Sequence, residues 1–307
     1  MKTHWLHCLL ACAALAQLPL ASAGTNAFSF AVIPSPFQEP GDASLREAVK
    51  QTDEANLAFV VVGGIKAETE PCSDDLYSER KKLLDSAQNG LIVSLAASDW
   101  AECTDSSGKL DAAGRLMLLR DLFFADEFSL GNSRIPVTRQ STTPKFRSYT
   151  ENARWEVRRT MFATINLPQD NNHYVMAAGR NSEFEDRQVA NRHWLQRVFI
   201  QAIRKKFSAV ILFCDGNPFA RPRDAQRDGF LEIRQQITAW AARFPGKVLL
   251  IHNPGAVQSE GAPRIRWRDN LGELKVTSGW MILTVDPSLA ASITVEQGTA
   301  AGKDPHS

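Results

Sequence analysis

The feature that most constrains this chain is a set of short apolar runs that do not alternate with polar residues. Phe28 to Ile33, Ala58 to Val62, Leu91 to Leu95, Ala209 to Cys214 and Lys247 to His252 are rich in β-branched or aromatic residues. A strand buried on one face carries polar residues at every second position; a run that is apolar throughout reads as a strand covered on both faces. Most of these runs stop at small, polar or turn-forming residues, among them Pro34-Ser35-Pro36, Gly63-Gly64, Ala96-Ala97-Ser98 and Asp215-Gly216. Between them, Ala43 to Leu57, Leu76 to Ala87, Glu183 to Phe207 and Asp228 to Phe244 have helical spacing. This alternation predicts an α/β fold. Arg159 to Leu167 reads as a further strand. Arg264 to Trp267, Leu274 to Thr277 and Trp280 to Val285 read as successive antiparallel strands. Leu130 to Arg147 reads as a long polar loop within the domain, and no internal repeat or linker interrupts the pattern.

Both ends read differently. Lys2 is the only Lys, Arg, Asp or Glu among the first 23 residues, Leu6 to Leu20 is mostly apolar, and Ala21-Ser22-Ala23 follows. That is the pattern of a secretory signal cut after Ala23. The apolar stretch is short for a membrane span and is interrupted by Gln17 and Pro19. The predicted organisation is therefore a signal peptide over 1–23, one domain over 24–289 and a flexible tail over 290–307. An exported chain, periplasmic or secreted, keeps disulfides. Of Cys72, Cys103 and Cys214, the first two lie in polar, loop-like surroundings and are the expected pair, while Cys214 ends an apolar run and reads as a buried thiol. The chain has 35 Lys+Arg against 34 Asp+Glu, a net charge of +1, and no long like-charge run. That balance gives no pull toward nucleic acid or an anionic membrane surface, and no segment after the signal reads as a membrane span.

In open α/β sheets, sites gather at the carboxyl ends of strands. The residues there are Ser35, Gly64, Ser98-Asp99, Asn171-Asn172-His173, Asp215 and His252. Asp215 reads as a ligand or general base, or as the cap of the turn at Gly216-Asn217-Pro218, which is the commoner use of Asp. His252 reads as a lone ligand or general acid, or as a hydrogen-bonded structural histidine. His173 suits an anion contact or an Asn-rich surface turn, and Asp99-Trp100 suits a pocket lining or rim packing. Arg120, Arg139, Arg154 and Arg187 have the fork geometry that receives phosphate, but Glu151, Glu185 and Asp186 are available to pair with them. No G-x-S-x-G elbow, Walker-A loop or H-E-x-x-H occurs.

Read in order, these strand ends resemble the calcineurin-like metallophosphoesterases, in particular a secreted bacterial branch. Phe30-Ala31-Val32-Ile33 stands where that family has its first strand, and Val60-Val61-Val62-Gly63-Gly64-Ile65-Lys66 where it has its second. Leu95-Ala96-Ala97-Ser98-Asp99-Trp100, Glu151-Asn152-Ala153-Arg154-Trp155 and Ile251-His252-Asn253-Pro254-Gly255-Ala256 follow in similar places. The resemblance runs from Phe28 to Pro287. It implies a β-sandwich flanked by helices, with a two-metal site for phosphoester hydrolysis at the strand ends. The ligand positions depart from the family: Ser35, Gly64, Ala97-Ser98, Pro254 and Ala256 stand where carboxylate, amide and imidazole ligands belong.

The expectation is a pseudoenzyme on a hydrolase scaffold, without a resident cofactor, whose partner is a small ligand or an envelope protein. The alternative is an active phosphoester hydrolase with a rebuilt site drawing on Asp215, His252, Asp99 or His173, and only this alternative calls for a divalent metal.

Overall fold

The computed structural model describes residues 26–34, 40–175, 181–222, 224, 226–253, 261–276, 279–288 and 291–298. The signal expected over 1–23 and the positions Ser35, Pro254 and Ala256 lie outside the described residues.

Twelve named strands form two mixed sheets among the described residues. In the first, β1 (Phe28–Ile33), β2 (Val60–Gly63) and β3 (Leu91–Ser94) run parallel, β11 (Met281–Asp286) pairs antiparallel with β1, and β12 (Ser292–Gln297) pairs antiparallel with β11, in the order β12-β11-β1-β2-β3. In the second, β6 (Thr160–Thr164), β7 (Ala209–Cys214), β8 (Lys247–His252) and β10 (Leu271–Lys275) run parallel. The strands β4 (Thr138–Arg139), β5 (Ala153–Val157) and β9 (Ile265–Arg268) close its edges, in the order β4-β5-β6-β7-β8-β10-β9.

Side-chain alternation explains the continuous apolar runs. Phe30, Val32, Val61, Ile211 and Phe213 point into a core shared by both sheets. Ala31, Ile33, Val60 and Val62 point the other way, onto α1 (Ala43–Asp53), α2 (Asp74–Asp85) and α3 (Ala112–Phe123). Val210, Leu212, Val248 and Leu250 pack with the buried faces of α4 (Ser182–Arg204) and α5 (Leu231–Arg243). Each sheet is thus covered by helices on one face and by its partner sheet on the other. The centre of the shared core is aromatic: Phe59 lies 5.0 Å from Phe30, 4.8 Å from Phe162 and 5.4 Å from Trp155 between ring centroids. Such contacts add roughly 0.5–1.5 kcal/mol each beyond their burial.

Local signals place the helices. Ser73 caps α2 by accepting from the Leu76 amide, with Asp74 and Asp75 in the first turn. Asp111 caps α3 by accepting from Gly114.

Three expectations are corrected. The tail expected from 290 onward includes β12, whose Ile293 and Val295 alternate inward against the shared core. The last strands are not successive antiparallel neighbours: β9 and β10 form a hairpin, β10 lies parallel to β8, and β11 crosses to the first sheet. Pairing partners, not local pattern, set that choice. The stretch 130–147 is not a featureless loop, since it contributes β4 and two 3₁₀ turns.

Cys72 and Cys103 are joined, with Cα atoms 5.7 Å apart across a sequence separation of 31. Cys214 is a free, buried thiol. No helix among the described residues is long and apolar enough to cross a membrane. The bond ties the lead into α2 to the segment after Trp100. Closing a loop of that length should stabilise by about 3 to 4 kcal/mol in the chain-entropy model. Denaturant unfolding of a Cys72→Ser/Cys103→Ser variant should show a loss of that size; an unchanged midpoint would mean the loop is already ordered in the unfolded chain.

Candidate functional site

The parallel strands of both sheets deliver their carboxyl ends to one region, where two buried carboxylates meet. Asp215 follows β7 and is fully buried. Its Oδ2 accepts from the Ala97 amide at 2.7 Å and the Gln169 amide at 2.9 Å. Its Oδ1 accepts from Gln169 Nε2 and Asn253 Nδ2, both at 2.9 Å. Every lone-pair direction of an ionised carboxylate is therefore used. The donors come from the ends of β3, β6 and β8, so this one side chain ties the first sheet to the second. Asn253 also reaches the Gly63 carbonyl at 3.3 Å, and a Cβ on Gly63 would lie 2.7 Å from Asn253 Oδ1, so the close approach requires glycine there.

Asp99 lies in a 3₁₀ turn after β3 and is also fully buried. Its Oδ1 accepts from the amides of Ile65 at 2.9 Å and Lys66 at 3.3 Å, and its Oδ2 from Ala96 at 2.8 Å. Ala96 and Ala97 thus offer neighbouring peptide N–H groups to two different carboxylates. Burial pushes Asp99 up to about 7, against the opposing pull of the Ile65 and Ala96 amides and the Lys66 charge; Asp215 adds repulsion. Burial likewise raises Asp215. Lys66 is 1% exposed, and its Nζ donates to the Ala67 carbonyl at 2.8 Å. Burial lowers its ammonium against the attraction of Asp99 and Glu70.

His252, at the end of β8, is engaged at both nitrogens. Its Nδ1 donates to the Asn253 carbonyl at 2.8 Å, and its Nε2 faces Glu273 Oε1 at 3.2 Å. Glu273 also accepts from Asn217 Nδ2 at 2.8 Å. The His252 hydrogen bond is the largest cause holding the Glu273 carboxyl below the usual range.

His173 belongs to a separate cluster. Asp170, Asn171, Asn172 and His173 have φ of 50°, 58°, 59° and 51°, a single turn of left-handed helix. Left-handed backbone costs about 1–2 kcal/mol per ordinary residue and less for Asn and Asp. The buried guanidinium of Arg187 holds this turn. Its Nη1 donates to Asn172 Oδ1 at 2.5 Å and the Asn166 carbonyl at 3.3 Å, and its Nη2 to the Asn172 carbonyl at 2.9 Å. Nε and Nη2 also grip Glu183 at 2.6 and 3.1 Å. His173 Nδ1 lies 3.2 Å from the same carboxylate, and its ring stands edge-on to Trp100 at 5.0 Å. Burial alone would raise Glu183, but the His173 hydrogen bond and the Arg187 charge outweigh it and hold it at about 2.

The structure therefore brings Asp99, Asp215 and His252 to the same strand ends, and pairs His173 with Glu183 and Trp100 instead. Ser98 Oγ donates to the Lys66 carbonyl at 3.3 Å. Gly64 has φ +95°, a conformation that residues with a Cβ rarely adopt. Among the described residues no group of three or more His, Cys, Asp or Glu is arranged to hold a metal ion. Sequence reading did not find Gln169, Glu183 or Glu273. Gln169 follows Pro168 in an ordinary polar stretch, and nothing local signals that both its amides point at Asp215.

An acid whose folded-state pKa lies above its unfolded value binds a proton on folding. Asp99 therefore contributes most below pH 4 and progressively less as pH rises toward 7. Wild-type stability should fall relative to Asp99→Asn across that window, by up to roughly 4 kcal/mol. Parallel stability curves for the two proteins would contradict this. Arg187→Met should cost about 3–5 kcal/mol in denaturant unfolding, because it leaves the buried Asn166 and Asn172 oxygens without donors and the half-buried Glu183 without its guanidinium. Arg187→Lys should recover little of it, since a point charge lacks the fork.

No protein-family model matches the chain and no curated protein matches it, so the reading of the site stands on its own residues.

Proposed function

We propose that this chain is an exported protein built on the calcineurin-like phosphoesterase scaffold, that it has lost the two-metal site, and that it acts by binding a small ligand or an envelope partner. The carrying observation is the use of its two strand-end carboxylates. All four acceptor directions of Asp215 and both oxygens of Asp99 are taken by protein N–H groups. A pair of divalent cations needs hard oxygen ligands with open lone pairs. Asp215 offers none, Asp99 keeps at most one and has no exposed surface, Gly64 and Ala97 have no ligating side chain, and the residues present do not fit a two-metal group. Two helix-covered sheets packed face to face, with candidate residues at the parallel strand ends, support the scaffold assignment at the level of architecture. The Cys72–Cys103 bond and the signal pattern support export.

The alternative of an active hydrolase with a rebuilt site draws on one observation: Asp99, held at about 7, lies near a buried Lys66 whose ammonium is lowered. Against it, Asp99 has no exposed surface through which to reach a substrate.

One experiment separates the two. The chain from Gly24 onward is incubated with Mn²⁺, Zn²⁺ and Fe²⁺, desalted and assayed for bound metal and for phosphomonoester and phosphodiester hydrolysis. The expected result is less than about 0.1 equivalent of each metal and no turnover above the buffer rate. One or two equivalents with metal-dependent hydrolysis would overturn the proposal.

A further inference from the structure

Of the four arginines with the chemistry to receive a phosphate, three are committed to the protein itself. Arg120 grips Glu151 through Nε and Nη2 at 2.8 and 2.6 Å. Arg139 donates to the carbonyls of Asp126, Thr150 and Phe128. Arg187 is saturated by Glu183, Asn166 and Asn172.

Arg154 differs. It is 8% exposed and stands on β5 with its guanidinium 5.7 Å from the centroid of Trp194, on the helix-covered side of the second sheet. Its one hydrogen bond runs from Nη1 to the Arg197 carbonyl at 3.4 Å, and its buried Nε has no partner among the described residues.

A row of positive groups continues from it. Arg197 and His193 are one turn apart on α4. The His193 ring packs on the Phe146 ring at 4.6 Å, and Lys145 Nζ lies 5.7 Å from the centroid of the Phe146 ring. His193 Nδ1 is also buried without a partner. No ion pair within 4.0 Å involves Lys145, Arg154 or Arg197 among the described residues. Glu156, the acid on the same face of β5, is taken by Lys205 at 2.7 Å and Gln201 at 2.8 Å. Burial and then the Arg197 charge oppose protonation of Arg154. Burial, Arg197 and Lys145 oppose it at His193. Like charges held together under partial burial are unfavourable unless a counter-charge joins them.

We propose that Lys145, Arg154, His193 and Arg197 form a binding site for a phosphate or sulfate group, separate from the strand-end carboxylates. A tetrahedral oxyanion supplies acceptors for the exposed Lys145 and Arg197 side chains, and its charge neutralises the row they form with Arg154 and His193. Guanidinium groups suit it through paired N–H···O contacts.

The test uses the full mature chain and inorganic phosphate, titrated by calorimetry and by thermal denaturation against chloride at matched ionic strength. Phosphate should bind and raise Tm. The exposed double variant Lys145→Ala/Arg197→Ala, chosen because it leaves the buried Arg154 in place, should weaken binding about tenfold or more. Arg266→Ala/Arg268→Ala, which removes two exposed charges on β9, should bind as wild type. Glycerol phosphate in place of phosphate identifies the source: tighter binding points to an ester-borne phosphoryl group, equal binding to the free ion. No stabilisation over chloride would overturn the proposal. So would equal losses in both double variants, which would reduce the effect to general charge.

Discussion

The architecture converges on one buried carboxylate. Asp215 stands between two sheets whose shared core is apolar and non-directional, and such a core sets how close the sheets pack but not how their strand ends align. The four hydrogen bonds to Asp215 supply that alignment, because each donor must reach a fixed lone-pair direction. A carboxylate this deeply buried is stabilised only while its donors stay in place. Loss of any one leaves an unpaired charge or amide in a low-dielectric interior. The same satisfaction that makes Asp215 a good joint makes it a poor ligand, and the proposed loss of metal chemistry follows from that competition for lone pairs.

The left-handed turn at Asp170–His173 is the second constraint, and it depends on the first. Its leading residue, Gln169, is pinned to Asp215 by main chain and side chain. Three of its residues are Asp or Asn, which tolerate positive φ because their short polar groups bond locally. Asn171 exchanges hydrogen bonds with the 227–229 segment, and Asn172 reaches the Gly229 carbonyl and receives Arg187. A strained backbone persists only when its surroundings over-determine it, and here a guanidinium with all its donors engaged supplies that condition. Arg187 and Glu183 are one helical turn apart, so the pair that anchors the turn is preassembled on α4.

Polar groups thus divide into two populations. Most of those beneath the strand ends and around α4 are matched donor to acceptor, as in the buried Gln140–Asn152–Asn191 set, with Trp100 Nε1 and Asn166 Oδ1 as exceptions. Those in the row from Lys145 to Arg154 have one long hydrogen bond, from Arg154 to the Arg197 carbonyl, and no ion pair at Lys145, Arg154 or Arg197 among the described residues. Buried atoms without a hydrogen-bond partner also occur at neutral side chains such as Trp100, Trp155 and Thr160, so what sets the row apart is its uncompensated positive charge.

The sequence by itself determined the layers. Runs such as Phe28–Ile33 and Ala209–Cys214 are apolar at every position because both faces of each strand are covered, and that requirement is written locally, residue by residue. The long helix after Ser182, the Cys72–Cys103 pair and the strand-end positions of Asp99, Asp215 and His252 were legible for the same reason. Strand partners were not: nothing in the sequences of β10 and β11 names a neighbour, and only the tertiary pairing puts one beside β8 and the other beside β1. The loop-like 130–147 stretch and the residues after 290 also hid short strands, since an edge strand needs little apolar signal. Nor could sequence decide what Asp215 does. Whether a carboxylate at a strand end is open to a ligand depends on where distant donors such as Ala97, Gln169 and Asn253 come to lie. Lone-pair occupancy is a property of tertiary distance, not of the order of residues along the chain.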